Sequence, residues 1–229
     1  MQQSSLLNPP GLCSTQSRAT KHDNYTMNIG SHNTLTYRRP KKWWMRPFHF
    51  MAQCQDKDYT EQYNLGARVF DLRVTFDKAG AVEVRHGVMH FDVTSQYLKE
   101  FLEFLNNKAD CYLRVILEFN KAPKDLDYQQ SMFNEFCIWL EETYTHIKFF
   151  GGNRKYDWAL VHQFYNEDEP VLIDKYSSTT SLFSSDNKLL RVIDDLYPKL
   201  YAKLKNKQNF NNFNATSTAY LFVDFLEIR

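Results

Sequence analysis

No stretch of the chain approaches the ~20 consecutive apolar residues that a membrane-spanning helix needs. The N-terminus also lacks the apolar core of a secretory signal, because Leu6 and Leu7 are followed at once by Asn8, Pro9 and Pro10. The default expectation is a cytoplasmic protein or one held peripherally at a membrane. Cysteine is sparse: Cys13, Cys54, Cys111 and Cys137 form no Cys-x-x-Cys pair and belong to no zinc-binding pattern. Reduced thiols packed as small hydrophobes are expected, as for Cys137 between Phe136 and Ile138. Neither a bound metal nor a cofactor is expected. A surplus of one charge is missing too. With 28 basic and 27 acidic residues the formal net charge is +1, so the broad positive field of a nucleic-acid binder is absent. Electrostatic function has to be local. There are no internal repeats, nothing marks a second domain, and a monomer is expected.

What the chain does have is apolar and aromatic material, 43% and 16% of its 229 residues, enough for one substantial core. Residues 1–26 are polar and irregular, and disorder is expected there. From Met27 onward short apolar runs alternate with longer helical ones, which signals α/β with a mainly parallel sheet. Strands are expected over 27–30, 68–75, 82–85, 113–119, 147–150, 159–163, 171–173 and 220–225. Asp77 and Gly80 suit a hairpin turn before the third of these. A helix capped by Asp92 or Thr94 should bury Leu98, Phe101, Leu102 and Leu105. A second, over 125–144, should bury Phe133, Phe136, Cys137 and Leu140. A third, over 189–205, carries Val192, Ile193, Leu196, Leu200 and Leu204, with Pro198 kinking or restarting it. All three apolar faces are expected to pack on the core. Residues 27–229 then form one domain, and single (β/α) barrels run to about this length.

Four segments place polar groups at strand ends, where barrel enzymes keep their sites. The first is Gly30-Ser31-His32-Asn33-Thr34. The second is Gly66-Ala67-Arg68-Val69-Phe70-Asp71-Leu72-Arg73, in which Asp71 and Arg73 share one side of a strand because side chains alternate. Such a pair on an apolar strand is costly unless it is well partnered or faces a solvated site. The third is Val84-Arg85-His86-Gly87, and the fourth Tyr220-Leu221-Phe222-Val223-Asp224-Phe225, a carboxylate within an apolar strand. Phosphoryl transfer unites these groups. Two imidazoles can act as base and acid, an arginine can clamp a phosphate, and a buried carboxylate can fix one imidazole tautomer.

Together, over residues 27–225, these segments resemble the catalytic domain of phosphatidylinositol-specific phospholipase C. The resemblance implies a compact, irregular TIM-type (β/α) barrel. It implies His32 as general base, Asp224 as its orienting partner, Arg73 on the phosphate, His86 as general acid and Asp71 holding Arg73. It also implies a phospholipid or inositol-phosphate substrate, cleaved by attack of a neighbouring hydroxyl. Arg73 stands where calcium-dependent members carry an acidic residue, and Asn120 where they carry a glutamate, so metal independence is implied. Asn33 stands where bacterial members usually have an aspartate that supports the acid histidine, which leaves His86 without that charge. Asn33, Lys121, Lys175 and Tyr176 are candidates for the substrate pocket, the lysines alternatively being solvated strand ends. A glycerophosphodiesterase-like hydrolase and a catalytically silent lipid- or inositol-phosphate-binding module are the alternatives.

One more segment is unusual. Arg38-Arg39-Pro40-Lys41-Lys42-Trp43-Trp44-Met45-Arg46-Pro47-Phe48 mixes five cations with large apolar side chains. Trp43 and Trp44 either meet an anionic membrane surface or cover the barrel while the cations stay solvated.

Overall fold

The computed structural model describes residues 29–119, 124–150, 159–161, 176–178, 193, 196–212 and 220–228. Lys121, Lys175, Asn120, the strand expected at 171–173 and residues 1–26 therefore lie outside the described residues. The described strands are β1 (Ile29–Ser31), β2 (Ala67–Phe76), β3 (Val82–His86), β4 (Met89–His90), β5 (Tyr112–Glu118), β6 (Lys148–Phe150), β7 (Ala159–Val161), β8 (Tyr176–Ser178) and β9 (Tyr220–Val223). Helices α1 (Tyr59–Asn64), α2 (Ser95–Asn106), α3 (Leu126–Thr143) and α4 (Pro198–Asn212) accompany them, with a 3-10 helix at Trp43–Met51.

A parallel sheet runs β8-β9-β1-β2-β5-β6. Two antiparallel excursions leave it: the β3–β4 hairpin from the end of β2, and β7 against the end of β5. The hairpin turn is where Asp77 and Gly80 suggest it. Gly80 sits at φ +80° and the Asp77 carboxylate accepts from the N–H groups of Ala79 and Ala81, an Asx arrangement that Asp supplies readily.

The sheet places the site through its two faces. Along β2, Phe70, Leu72 and Val74 are fully buried against the helix layer, with Phe70 edge-on to Phe101 of α2. Thr94 caps α2 through the N–H of Tyr97, and Leu98, Phe101, Leu102 and Leu105 are all buried as their spacing predicts. In α3 the expected Phe133, Phe136, Cys137 and Leu140 are buried, and Gln129 bonds both Phe76 backbone groups and the Thr75 hydroxyl. The other face of β2 carries Asp71 and Arg73. Register opposes them to Arg114 and Ile116 of β5, so Glu118, two residues on, shares that face by alternation.

The third helix departs from expectation. Pro198 restarts the chain as the first residue of α4, where a missing N–H costs nothing. The phase that follows buries Tyr201, Ala202 and Asn206, while Leu196, Leu200 and Leu204 are exposed. The leucine stripe is not a core face. The reason is a polar anchor: Asn206 Nδ2 donates to the carbonyls of Asp224 and Ile228, both at 2.8 Å.

Candidate active site

Parallel register assembles the first pair. Ser31 of β1 lies opposite Val223 of β9, so the next residues, His32 and Asp224, emerge side by side. Gly30 is required for that closeness, because a Cβ there would stand 2.8 Å from the Phe222 ring. His32 Nδ1 lies 2.7 Å from Asp224 Oδ1, with both side chains buried. Arg73 Nη2 approaches His32 Nε2 at 2.5 Å. A guanidinium only donates, so Nε2 carries the lone pair and Nδ1–H donates to Asp224. That tautomer is the one a base at Nε2 needs.

Arg73 is held on two further sides. Its Nε donates to Asp71 Oδ2 at 2.9 Å and its Nη1 to Glu118 Oε2. Asp71 also receives the N–H of Asn33 at 3.2 Å and faces Arg114. Burial pushes the Asp71 carboxyl up, but Arg73 and Arg114 outweigh it and bring it down to about 2. Burial likewise opposes ionisation of Glu118. The Arg73 and His86 charges and the N–H of Gly87, 2.7 Å from Oε1, nevertheless hold it below the usual carboxylate range. Asp224 is lowered by His32 against the same burial penalty.

His86 closes the opposite side. Its ring stands edge-on to His32 with centroids 6.2 Å apart, and its Nδ1 lies 3.0 Å from the Ala52 carbonyl. Donation from Nδ1–H to that carbonyl turns Nε2 into the proton-exchanging nitrogen. Burial lowers the His86 pKa, and the charge of Glu118 only partly restores it. Asn33, at φ +48°, does not serve His86 in this arrangement. Its amide Nδ2 lies 3.4 Å from His32 Nε2 and 3.5 Å from Cys54 Sγ. The carboxylate whose charge most raises the His86 pKa is Glu118.

His32, Arg73, His86, Asp224, Asp71 and Asn33 thus come together from β1, β2, β3 and β9. Tyr176 lies in β8 opposite Tyr220 of β9. Trp43 and Trp44 are 75% and 53% exposed, so they do not cover the barrel. The site also contains residues the motifs pass over. Glu118 shows the same signal as Asp71, a carboxylate inside an apolar strand, and was legible on that ground. Cys54 and Gln55 have no local signal. Gln55 fastens the site, with Nε2 donating to the carbonyls of His32 and Val223 at 3.0 and 2.7 Å.

No family model matches the chain, and no curated protein sequence does. Among solved structures it is similar to bacterial phosphatidylinositol-specific phospholipase C. A double mutant of the Staphylococcus aureus protein superposes with a TM-score of 0.51 at 16% identity, covering 87% of this chain and 86% of that one. The Listeria monocytogenes protein gives a TM-score of 0.49 at 16% identity, covering 87% and 88%. The S. aureus match shows the fold: the chain is mixed α/β, similar to the TIM-type barrel of that protein. Among the described residues the sheet of this chain runs open from β8 to β6.

Proposed function

We propose that the chain is a metal-independent phosphodiesterase of the phosphatidylinositol-specific phospholipase C type. The observation that carries this is the His32–Asp224 pair with its Nε2 lone pair turned toward Arg73, and a second histidine facing it across the site. His32 Nε2 takes the proton of a hydroxyl adjacent to the phosphodiester, and Asp224 stabilises the imidazolium that forms. Arg73 binds the phosphoryl oxygens, where it meets the charge that develops. His86 Nε2 delivers a proton to the departing alkoxide. Using the substrate's own neighbouring hydroxyl gains from proximity and leaves a cyclic phosphate and an alcohol.

Charge supports metal independence. The Arg73 guanidinium lies between Asp71 and Glu118, the two carboxylates that a hard divalent ion would otherwise claim. The substrate would be a phospholipid or inositol phosphodiester. The exposed Trp43, Trp44 and Phe48, among Lys41, Lys42 and Arg46, offer it a membrane-facing surface. Phosphorus NMR on a panel of phospholipids tests this. A cyclic phosphate should form with EDTA present as well as without it. Loss of turnover in EDTA, restored by calcium, would contradict metal independence, and no product from any lipid would favour a silent binding module.

A further inference from the structure

We propose that His32, Cys54 and Asp224 form a site for a thiophilic divalent cation, with zinc as its natural occupant, that reversibly shuts the acid–base pair. The imidazole nitrogen, the thiol sulfur and a carboxylate oxygen all lie within 4.8 Å of one another. They are 7%, 2% and 3% exposed and arrive from three separate segments. One sulfur, one imidazole and one carboxylate make a donor set suited to zinc or cobalt, not to calcium or magnesium. Nδ1 and Oδ1 stand 2.7 Å apart. Accepting a metal between them means opening that gap to roughly 3.3 Å, the edge of a tetrahedron with ~2.0–2.1 Å bonds.

A second observation points to the same place. Asn33 is 2% exposed and its Oδ1 is buried with no hydrogen-bond partner. Its Nδ2 lies 3.5 Å from Cys54 Sγ, so the amide can donate to a thiolate, the outer-shell support that metal-bound sulfur receives. His86 Nδ1, 3.6 Å from the same sulfur, borders the open coordination position.

The exchange balances without any redox step. The Cys54 S–H bond breaks and its proton leaves to solvent as the metal–sulfur bond forms. The His32 proton moves from Nδ1 to Nε2, and the metal takes its place at Nδ1 and at Asp224. Nε2 then has no lone pair for a substrate hydroxyl, and Arg73 loses its acceptor there. Metal binding stands on this geometry alone; its inhibitory consequence rests on the proposed function.

Cobalt titration of the full chain, with Cys13→Ser in every variant, tests the proposal. The parent should bind one equivalent of Co²⁺ with sulfur-to-metal charge-transfer and tetrahedral ligand-field bands. Zinc should erase those bands by displacement. Cys54→Ser and Cys54→Ala should weaken binding at least 100-fold, while Cys111→Ser and Cys137→Ser keep it. Circular dichroism on each variant verifies the fold, and Asp224→Asn supplies a variant that leaves the thiol intact and should also lose the bands. Absence of a one-equivalent band in the parent, or its persistence in folded Cys54 variants, overturns the site. Bands in a protein that cleaves no lipid would support the metal site and overturn the phosphodiesterase. Turnover with no bands would do the reverse.

Discussion

Glu118 is the residue whose role is most exposed to test, because it holds Arg73 and its charge reaches His86. Its carboxylate accepts from Arg73 and from the N–H of Gly87, and its charge is what raises the His86 pKa against the burial that lowers it. A general acid must carry its proton, so the alkaline limb of kcat/KM follows the His86 pKa. Glu118→Gln keeps an acceptor but removes the charge, and His86 then titrates at still lower pH. The alkaline limb of the pH profile should therefore move downward, with the acidic limb, set by the base, moving less. An unchanged alkaline limb would remove His86 from the role of acid or Glu118 from its support. At Asn33 the geometry gives a different expectation from the motif comparison. An aspartate there would face His32 Nε2 and Cys54, not His86, and should change the acidic limb first.

Two elements set the precision of the site and one sets its surroundings. β1 and β9 approach closely because Gly30 lies against the buried Phe222 ring. Gly30→Ala forces that ring or the strand to shift. It should cost ~1–3 kcal/mol, the usual range for overpacking, and should lower kcat more than it raises KM, since His32 and Asp224 depend on this register. A variant with wild-type melting temperature and kcat would show the packing to be slack. The 3-10 helix at Trp43–Met51 buries none of its residues, and its Phe50 stacks on Tyr197 beside α4 at 5.4 Å. Replacing Trp43 and Trp44 with alanine should change stability by no more than ~0.5 kcal/mol, as for surface positions. Vesicle binding should weaken by about 100-fold or more, at ~1.5 kcal/mol or more for each of the two large apolar side chains withdrawn from water. Cleavage of a soluble substrate should persist. A parallel fall in melting temperature and soluble turnover would make them structural. The element boundaries legible in the sequence were those where one rule dominated: alternation in β2, spacing and a cap in α2, spacing in α3. In α4 the restart at Pro198 was legible but the inward face was not, because a buried polar anchor, Asn206, outranks a leucine stripe in choosing it.

For the molecule as a whole, the α/β fold and the convergence of four candidate residues were readable because each of those residues interrupts an apolar strand or ends one next to glycine. His32, Arg73, His86 and Asp224 all carry that mark. Cys54 and Gln55 could not be read, since their place beside His32 comes from how the segment after the 3-10 helix packs, with Phe225 N–H donating to the Cys54 carbonyl at 2.6 Å. Glu118 is legible by the alternation of β5, which is enough to face it inward. The net charge of +1 leaves the proposed chemistry to this inward cluster and not to any global field. The two histidines are proposed to divide the labour of base and acid, and leaving-group dependence separates those roles. Turnover should be compared for His32→Ala and His86→Ala on two phosphodiesters, one with an aliphatic alcohol as leaving group and one with a nitrophenol, which departs without a proton. On the aliphatic substrate each variant should lose ~10²–10⁴-fold, the range for a general acid or base. On the nitrophenol ester His86→Ala should recover most of its rate while His32→Ala stays impaired; equal impairment of both variants on both substrates would contradict the account.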